Sequence, residues 1–279
     1  FGESVYSVHQ DSDGVLWFGT EHGVSRFDGK TFVNFGKETP LDDTRVKVIR
    51  RDADGAIWFG TDAGAVRYDE KTFITRSTAD GLAHNQVISS AAAPEGTVWF
   101  GTGGGGLSRF DGKRFSNFTQ QDGLGGDWVF SLHRDPDGVW WFGTGTAHQG
   151  NLSSVGGLSR YDSSAESRDG RVFQTFGRTQ GLNAGTAVCA ITRDGTDTLW
   201  LATMGGGLIS YQDKCDPPFA TVPIKPDNAT NVLTSIYRDL KGTIWLGTLG
   251  GLAYVEPEAR RESALDPGLA GPIEGLPDA

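Results

Sequence analysis

The sequence predicts an all-β fold, a six-bladed β-propeller whose blades mostly have four antiparallel strands, because one pattern recurs six times in 279 residues. Its marker is a tetrad of tryptophan, Phe or Leu, Gly or Ala, and threonine. The six tryptophans follow one another at intervals of 41, 41, 42, 59 and 45 residues: Trp17, Trp58, Trp99, Trp141, Trp200 and Trp245. A period of about 40 to 45 residues that holds four short strands is typical of a propeller blade.

The first repeat shows how one unit divides into strands. Two Asp-Gly pairs, which favour two-residue hairpin turns, separate β-rich runs. The second run, Val-Leu-Trp-Phe, is apolar on both faces, as expected for a strand covered on both sides. The four predicted strands are Val5 to Gln10, Val15 to Thr20, Val24 to Phe27 and Thr31 to Phe35.

The repeats account for residues 1–255, and a tail rich in Pro and Gly follows at residues 256–279. The approximate repeat limits are 1–36, 41–77, 81–119, 123–177, 181–223 and 229–255. Two insertions lengthen the fourth repeat, at 145–155 between its second and third strands and at 163–169 between its third and fourth. The sixth repeat ends after its third strand, so either the last blade has three strands or the tail supplies an irregular outer edge. A seven-bladed ring that lacks one blade is the main alternative.

Composition limits the classes of partner. The net charge of −10 disfavours nucleic acid and anionic membrane surfaces, and no apolar run is long enough to span a bilayer. Phe1 resembles the last residue of a preceding fourth strand, so we expect a processed chain or an excised part of a longer one. Cys189 and Cys215 fall in the same repeat, and we expect them to remain unbridged, as two small packed residues.

The full repeat pattern runs from a Gly-Leu head through the tetrad to an Arg-Phe-Asp-Gly-Lys tail. The third copy carries it most completely, in Gly81 to Val87, Trp99 to Thr102 and Gly106 to Phe115. It closely resembles the two-component regulator propeller repeat, whereas the signatures of WD40 and sialidase-like propellers are absent. The resemblance implies a bacterial, extracytoplasmic (periplasmic or secreted) sensor domain for signal transduction, one that recognises a glycan or another small molecule. It also implies a signalling domain or partner chain elsewhere.

The order of strands assigns every connection to one of two rims. The fourth-to-first and second-to-third connections share one rim, called the upper rim here, and they differ from repeat to repeat. Loops of this kind carry function more often than strands do. Trp128 stands out because it lies outside the tryptophan column and has no structural position to fill. The candidate ligand-binding residues are Trp128, Asp127, His84, Asn85, His148, Asn151, His22, Asp62 and Arg45.

These residues favour a non-catalytic sensor that binds a small polar ligand or an oligosaccharide, with no cofactor and no metal. The Asp-x-Asp-Gly turns lack the rest of a calcium loop, and Gly103 to Gly106 leads into a strand rather than a phosphate-binding helix. No catalytic residues can be named. An enzyme that acts on a carbohydrate or polar small molecule, or a protein-interaction scaffold, remains the alternative. The arginine column Arg26, Arg67, Arg109 and Arg160 is expected to be structural, with the recurrent aspartates before the tetrad as possible partners.

Overall fold

The computed structural model describes residues 4–148, 151–162, 172–182, 187–215, 217–222 and 232–255. These residues form five four-stranded antiparallel sheets and a final sheet of three strands. This is the predicted six-bladed β-propeller, and its last blade has three strands. The tail at 256–279 lies outside the described residues.

Residues 1–134 form one compact unit. Its first blade consists of β1 (Val5–Gln10), β2 (Leu16–Thr20), β3 (Gly23–Phe27) and β4 (Phe32–Phe35). The second consists of β5 (Val46–Arg51), β6 (Ile57–Thr61), β7 (Ala65–Tyr68) and β8 (Phe73–Arg76). The third consists of β9 (Val87–Ala92), β10 (Val98–Thr102), β11 (Leu107–Phe110) and β12 (Phe115–Phe118), and β13 (Trp128–Arg134) begins the fourth. Short 3₁₀ turns at Thr78–Asp80 and Gln120–Asp122 precede β9 and β13.

Residues 135–279 form the second unit. The fourth sheet is completed by β14 (Trp140–His148), β15 (Asn151–Tyr161) and β16 (Gln174–Phe176). A 3₁₀ turn at Arg178–Gln180 precedes the fifth blade, which consists of β17 (Ala187–Arg193), β18 (Leu199–Met204), β19 (Gly207–Tyr211) and β20 (Phe219–Val222). The sixth consists of β21 (Leu233–Arg238), β22 (Ile244–Thr248) and β23 (Gly251–Val255).

One recurrent aspartate joins the first turn of a blade to its tetrad tryptophan. In the second blade, Asp52 Oδ1 accepts hydrogen bonds from the backbone N–H groups of Asp54 and Ala56, at 3.0 and 2.9 Å. Its Oδ2 accepts the indole N–H of Trp58 at 2.9 Å. The same bond joins four further pairs: Asp11 to Trp17, Asp135 to Trp141, Asp194 to Trp200 and Asp239 to Trp245. The predicted turn chemistry is therefore present, and the second carboxylate oxygen orients the tryptophan.

The apolar cores lie between consecutive blades, so each blade completes its core with its neighbour. Trp58 of the second blade packs edge-on against Phe100 and Phe110 of the third, with ring centroids 5.1 and 5.7 Å apart. Trp141 of the fourth blade packs in the same way on Tyr211 of the fifth, at 5.3 Å. The prediction that tetrad tryptophans pack between neighbouring blades is confirmed for these two.

The arginine column pairs with the aspartates less regularly than expected. Arg67 contacts Asp52 at 3.1 Å, as predicted. Arg26 and Arg109 instead lie over the rings of Trp17 and Trp99, 5.8 and 5.6 Å from the centroids. Arg160 contacts Asp162 at 3.2 Å. In the third repeat, Ala93 occupies the aspartate position, so Arg109 has no carboxylate of this column beside it.

The described residues of the first insertion lengthen two strands. β14 and β15 continue beyond the tetrad as paired antiparallel strands, in which His148 lies opposite Asn151. The second insertion, at 163–169, lies outside the described residues. Cys189 and Cys215 are unbridged, as predicted, but Cys215 is exposed rather than packed. Burial raises the pKa of the Cys189 thiol to about 11, so this thiol is protonated at neutral pH.

Trp58→Ala should lower the free energy of unfolding by about 3–5 kcal/mol, because it empties a buried inter-blade position. Trp245→Ala in the last blade should cost less, since that side chain is only partly buried. Urea denaturation of both variants measures the difference. A loss below about 1 kcal/mol for Trp58→Ala would contradict its place in the core.

Asp194→Asn tests the aspartate–tryptophan bond through pH. Burial alone would raise the pKa of Asp194, but hydrogen bonds from Thr196, Trp200 and Thr198 outweigh it and lower that pKa. The folded-state pKa thus lies below the unfolded value of about 3.9. The charged carboxylate therefore stabilises the fold above that pH, and this contribution is lost as the pH falls toward the folded-state pKa. The stability difference between wild type and Asp194→Asn should shrink between pH 7 and pH 3; an equal difference at both would refute the assignment.

Candidate functional site

Successive blades meet on the upper rim through one repeated contact. Each contact joins two positions. One is the residue that follows the tetrad threonine of a blade, and the other is the residue of the next blade that precedes the buried valine of the first strand. Glu21 Oε1 lies 3.5 Å from Arg45 Nη2, and Asp62 Oδ1 accepts a hydrogen bond from Gln86 Nε2 at 3.2 Å. Between the third and fourth blades the contact is a backbone bridge from Gly103 to Trp128. Equivalent positions therefore form a row across the first four blades.

The tetrad threonine explains why these positions point to the rim. Its hydroxyl donates to a carbonyl on the far side of the second-to-third loop, as from Thr61 to Gly64 at 2.8 Å and from Thr102 to Gly106 at 2.8 Å. The same bond closes this loop in all six blades. Because the threonine side chain bonds within its own loop, the residue that follows the threonine contacts the next blade.

Charged side chains concentrate where the first three blades meet. Arg45 Nη1 lies 3.6 Å from Asp62 Oδ2, and its guanidinium lies over the ring of Tyr6 at 5.4 Å. Lys47 Nζ contacts Asp62 Oδ1 at 2.5 Å. Together with Glu21 and Gln86, these side chains are called the upper cluster: Tyr6, Glu21, Arg45, Lys47, Asp62 and Gln86. All are at least partly accessible to solvent.

The upper cluster keeps Asp62 ionised. Burial alone would raise the pKa of this carboxyl. Hydrogen bonds from Lys47 and Gln86, together with the charges of Lys47 and Arg45, outweigh burial and lower the pKa. Two cations and two carboxylates then make the cluster close to neutral at pH 7. The buried Nε of Arg45 donates to none of the described residues, so this guanidinium is incompletely satisfied.

Trp128 lies at the next position of the row and is half-buried. Its indole borders the glycine loop at 103–106, where a Cβ on Gly104 would lie 3.5 Å from Nε1. Its ring centroid is 6.0 Å from that of Phe130. No described residue accepts a hydrogen bond from the indole N–H. Trp128 thus offers a donor and part of an aromatic face at the upper rim.

The glycine loop is a packing element between two head loops. A Cβ on Gly103 would collide with the Gln86 side chain, and one on Gly105 would lie 2.7 Å from His84 Cβ. Gly104 and Gly106 each donate a backbone hydrogen bond to the carbonyl of Asp127, at 3.0 and 2.8 Å. The loop therefore brings His84, Gln86, Asp127 and Trp128 around one short segment.

Asn85 and Asp127 occupy equivalent positions and have a structural role. Asn85 Oδ1 accepts the backbone N–H of Thr78 at 2.8 Å, and Asp127 Oδ1 accepts that of Gln120 at 3.0 Å. Each bond satisfies the first N–H of a 3₁₀ turn. One side-chain oxygen of each candidate is thus committed to the backbone, and the remaining atoms of the side chain are available.

The histidine candidates are dispersed. His84 Nδ1 accepts the backbone N–H of Gln86 at 3.1 Å, which leaves the proton of the neutral ring on Nε2. His22 Nδ1 lies 2.7 Å from Asp43 Oδ1, in an exposed pair. The side chains of His148 and Asn151 lie outside the described residues. Of the predicted residues, the structure brings together Arg45 with Asp62, and His84 and Asp127 with Trp128.

Tyr6, Glu21, Lys47 and Gln86 were not among the predicted site residues. They follow from the same columns: positions after the tetrad threonine and on either side of the first-strand valine. Comparing these columns from repeat to repeat would have identified them. Which residue of one column meets which of the next depends on how consecutive blades pack, and one repeat alone does not contain that information.

A second candidate lies on the lower rim of the unit at 135–279. A pocket of about 440 Å³ is lined by Trp141, Tyr211, Arg160, Arg193 and several aspartates. Arg193 makes a two-point contact with Asp135, at 2.6 and 2.7 Å, and links the fourth and fifth blades. Burial first, then the hydrogen bond to Asp213, raises the pKa of Tyr211. The sequence shows this candidate as an Arg-Asp pair at the end of the first strand in four blades. These pairs are Arg51-Asp52, Arg134-Asp135, Arg193-Asp194 and Arg238-Asp239.

The comparisons with known proteins agree with the repeat pattern. Residues 1–22, 40–63 and 123–146 match the family described as two component regulator propeller. No curated protein matches the sequence at a significant level. No helix among the described residues is long and apolar enough to cross a bilayer.

Solved structures share the fold. The extracellular domain assigned to a hybrid two-component system of B. thetaiotaomicron has a TM-score of 0.77 at 26% identity, over 94% of this chain and 34% of that chain. This chain therefore spans about a third of that domain. Virginiamycin B lyase from Staphylococcus aureus has a TM-score of 0.68 at 16% identity, over 98% of this chain and 85% of that chain. PorZ, a surface component of the type-IX secretion system of Porphyromonas gingivalis, has a TM-score of 0.65 at 19% identity, over 90% of this chain and 38% of that chain. The last two similarities concern the fold alone.

Asp127→Ala should lower the free energy of unfolding by about 1 kcal/mol, because the N–H of Gln120 loses its acceptor. Asp127→Asn should be neutral within about 0.5 kcal/mol, since an amide oxygen accepts the equivalent bond from Asn85. Urea denaturation measures both. Equal losses in the two variants would show that the charge of Asp127, rather than its acceptor oxygen, matters.

Proposed function

We propose that this chain, three segments of which match the two-component regulator propeller family, is the ligand-binding propeller of an extracytoplasmic sensor. In this proposal the chain is non-catalytic and recognises a small polar ligand of the oligosaccharide class. The ligand binds on the upper rim of the first four blades, beside Trp128 and the upper cluster. A signalling domain or partner chain then reads the bound state.

The observation that carries the proposal is the accessible indole of Trp128 beside an arc of polar side chains. A sugar ring presents apolar C–H faces and hydroxyl edges. The exposed part of the indole ring can stack on the C–H face of a sugar, and its N–H, which no described residue accepts, can donate a hydrogen bond to a hydroxyl. Gln86 and His84, which border the same glycine loop, add amide and imidazole groups within the arc.

The charge balance of the upper cluster supports a hydroxyl-rich ligand. The contacts of Arg45 with Glu21 and Asp62, at 3.5 and 3.6 Å, are longer than the usual 2.7–2.9 Å of a charge-assisted hydrogen bond. Guanidinium donors therefore remain for ligand oxygens, while the carboxylates accept hydrogen bonds from hydroxyls. A neutral polyol can use both without leaving a charge unpaired.

The similarity to an extracellular two-component domain supports the location and the sensing role. The alternatives are an enzyme acting on a carbohydrate or similar molecule and a protein-interaction scaffold. Similarity to a lyase concerns the fold alone, and it does not favour catalysis here. Product formation from an oligosaccharide panel would favour the enzyme. A protein partner with no response to small molecules would favour the scaffold.

A melting screen over oligosaccharides and small metabolites tests the proposal. A ligand at about 100 times its dissociation constant should stabilise the fold by about 2.7 kcal/mol. Trp128→Ala and Arg45→Gln should each weaken binding of the hit. Tyr237→Ala, which removes an exposed aromatic ring of β21, is the matched control and should bind normally.

Two results would count against the proposal at different levels. A hit that Trp128→Ala and Arg45→Gln bind as tightly as wild type does would move the site away from the upper rim. A complete panel without any stabilising compound, combined with capture of a protein partner, would replace the sensing role with a scaffold role.

A further inference from the structure

The lower-rim pocket of the unit at 135–279 is built around an ion pair that is already complete. The two carboxylate oxygens of Asp135, which is 4% exposed, accept Arg193 Nε and Nη2 at 2.6 and 2.7 Å. On its other side, Arg193 Nη1 contacts Asp197 Oδ1 at 2.5 Å. The guanidinium of Arg193 is therefore neutralised by carboxylates of the protein itself.

The formal charge of the pocket is negative. Its second guanidinium is also paired, because Arg160 Nη2 donates to Asp162 Oδ2 at 3.2 Å. Carboxylates outnumber guanidinium groups by five to two among the lining residues: Asp135, Asp137, Asp194, Asp197 and Asp213 against Arg160 and Arg193. A ligand that carries positive charge would balance this excess, whereas an anion would increase it.

Three of these carboxylates use only one oxygen inside the protein. Asp137 Oδ1 accepts the backbone N–H of Val139 at 3.1 Å, and Asp213 Oδ1 accepts the Tyr211 hydroxyl at 2.7 Å. Asp197 uses Oδ1 for its contact with Arg193. Among the described residues, none donates a hydrogen bond to Oδ2 of these three aspartates. Each therefore keeps one acceptor for a ligand.

Asp197 stands where the other five blades have glycine. Its φ is 68°, and the glycines at the equivalent turn position have φ between 82° and 94°: Gly14, Gly55, Gly96, Gly138 and Gly242. This left-handed region disfavours side chains. The fifth blade thus places a carboxylate, 79% exposed, at a position where the turn geometry favours glycine.

The inner part of the pocket is apolar. Val139, Trp141 and Tyr211 line it, and each of these side chains is at most 7% exposed. The volume of about 440 Å³ lies within the usual range of small-molecule sites. The pocket therefore combines an apolar wall with carboxylate acceptors that remain free, which suits a ligand with both methylene groups and positive charge.

We propose that this pocket binds an aliphatic polyamine, at a site that is independent of any ligand at the upper rim. Its ammonium groups donate hydrogen bonds to the free oxygens of Asp137, Asp197 and Asp213, and its methylene segments pack on the apolar wall. The three carboxylates come from separate segments, namely the first turns of the fourth and fifth blades and the connection that follows β19. Several ammonium groups on one chain match acceptors that are spaced in this way.

Titration calorimetry of the full chain with spermidine tests this assignment. Asp137→Asn, Asp197→Asn and Asp213→Asn each remove a charge and the free acceptor, while the amide oxygen keeps the bond made inside the protein. Each variant should weaken spermidine binding about fivefold. The triple variant should weaken it more than about fiftyfold. Thermal melting without spermidine checks the fold, and the single variants carry the test if the triple variant is unstable.

A second triple variant controls for net charge. Asp13→Asn, Glu38→Gln and Asp42→Asn change exposed residues outside the pocket and alter the charge by the same amount. This variant should bind spermidine within about twofold of wild type, because exposed charges outside the site are screened by salt. Butylamine, which has a single ammonium group, should bind wild type at least about tenfold more weakly than spermidine does.

Several results would overturn the polyamine site. Wild type that does not bind spermidine would do so, as would pocket variants that bind it as tightly as wild type does. An equal loss in the two triple variants would show that binding follows net charge alone. Calcium that displaces spermidine at a lower concentration would make the pocket a metal site. N-acetyl-lysine amide that binds as tightly as spermidine would make it a site for a lysine side chain of a protein partner.

Discussion

In five of the six blades, the structure depends on a hydrogen bond between an aspartate and the tryptophan six residues later, whereas the third blade has Ala93 at the aspartate position. The carboxylate satisfies the backbone of the first turn with one oxygen and fixes the indole with the other, as Asp52 does for Trp58. The indole N–H would otherwise be costly to bury. With that N–H satisfied, the ring serves as the main apolar contact between blades. A local turn and a long-range core are thus specified by the same side chain.

The glycine and threonine of the tetrad separate the packed cores from the variable upper rim. The glycine permits close approach of the next blade, and the threonine closes the loop above it. The residue after the threonine then lies outside the core and meets the neighbouring head loop. Glu21, Asp62 and Gly103 show how different this residue can be while the strand pairing stays the same. Variation on the upper rim therefore does not disturb the cores below.

The sequence predicted the blades well because their determinants are local and periodic. The tryptophan spacing, the Asp-Gly turns and the apolar second strands all follow from residues within one repeat. The site was less predictable, since the pairing of Arg45 with Asp62 and Glu21 depends on contacts between blades. Asn85 and Asp127 were predicted as ligand residues, and both also hold a 3₁₀ turn through a backbone bond seven residues away. The pairing of β14 with β15 beyond the tetrad was not predicted, because the sequence displays the length of the insertion and not its strand pairing.

The closeness of the inter-blade contact also limits how such a chain can diverge. A side chain at Gly60 would meet Val48 and Val87 at 2.5 and 2.6 Å, so a single-base change at that codon is penalised whatever the ligand. Two codons later, Asp62 lies on the rim and is free of this penalty. Duplication of one repeat therefore copies a position that excludes side chains together with a rim position that accepts them. New chemistry on the rim can arise by ordinary drift without a compensating change in the neighbouring blade's core.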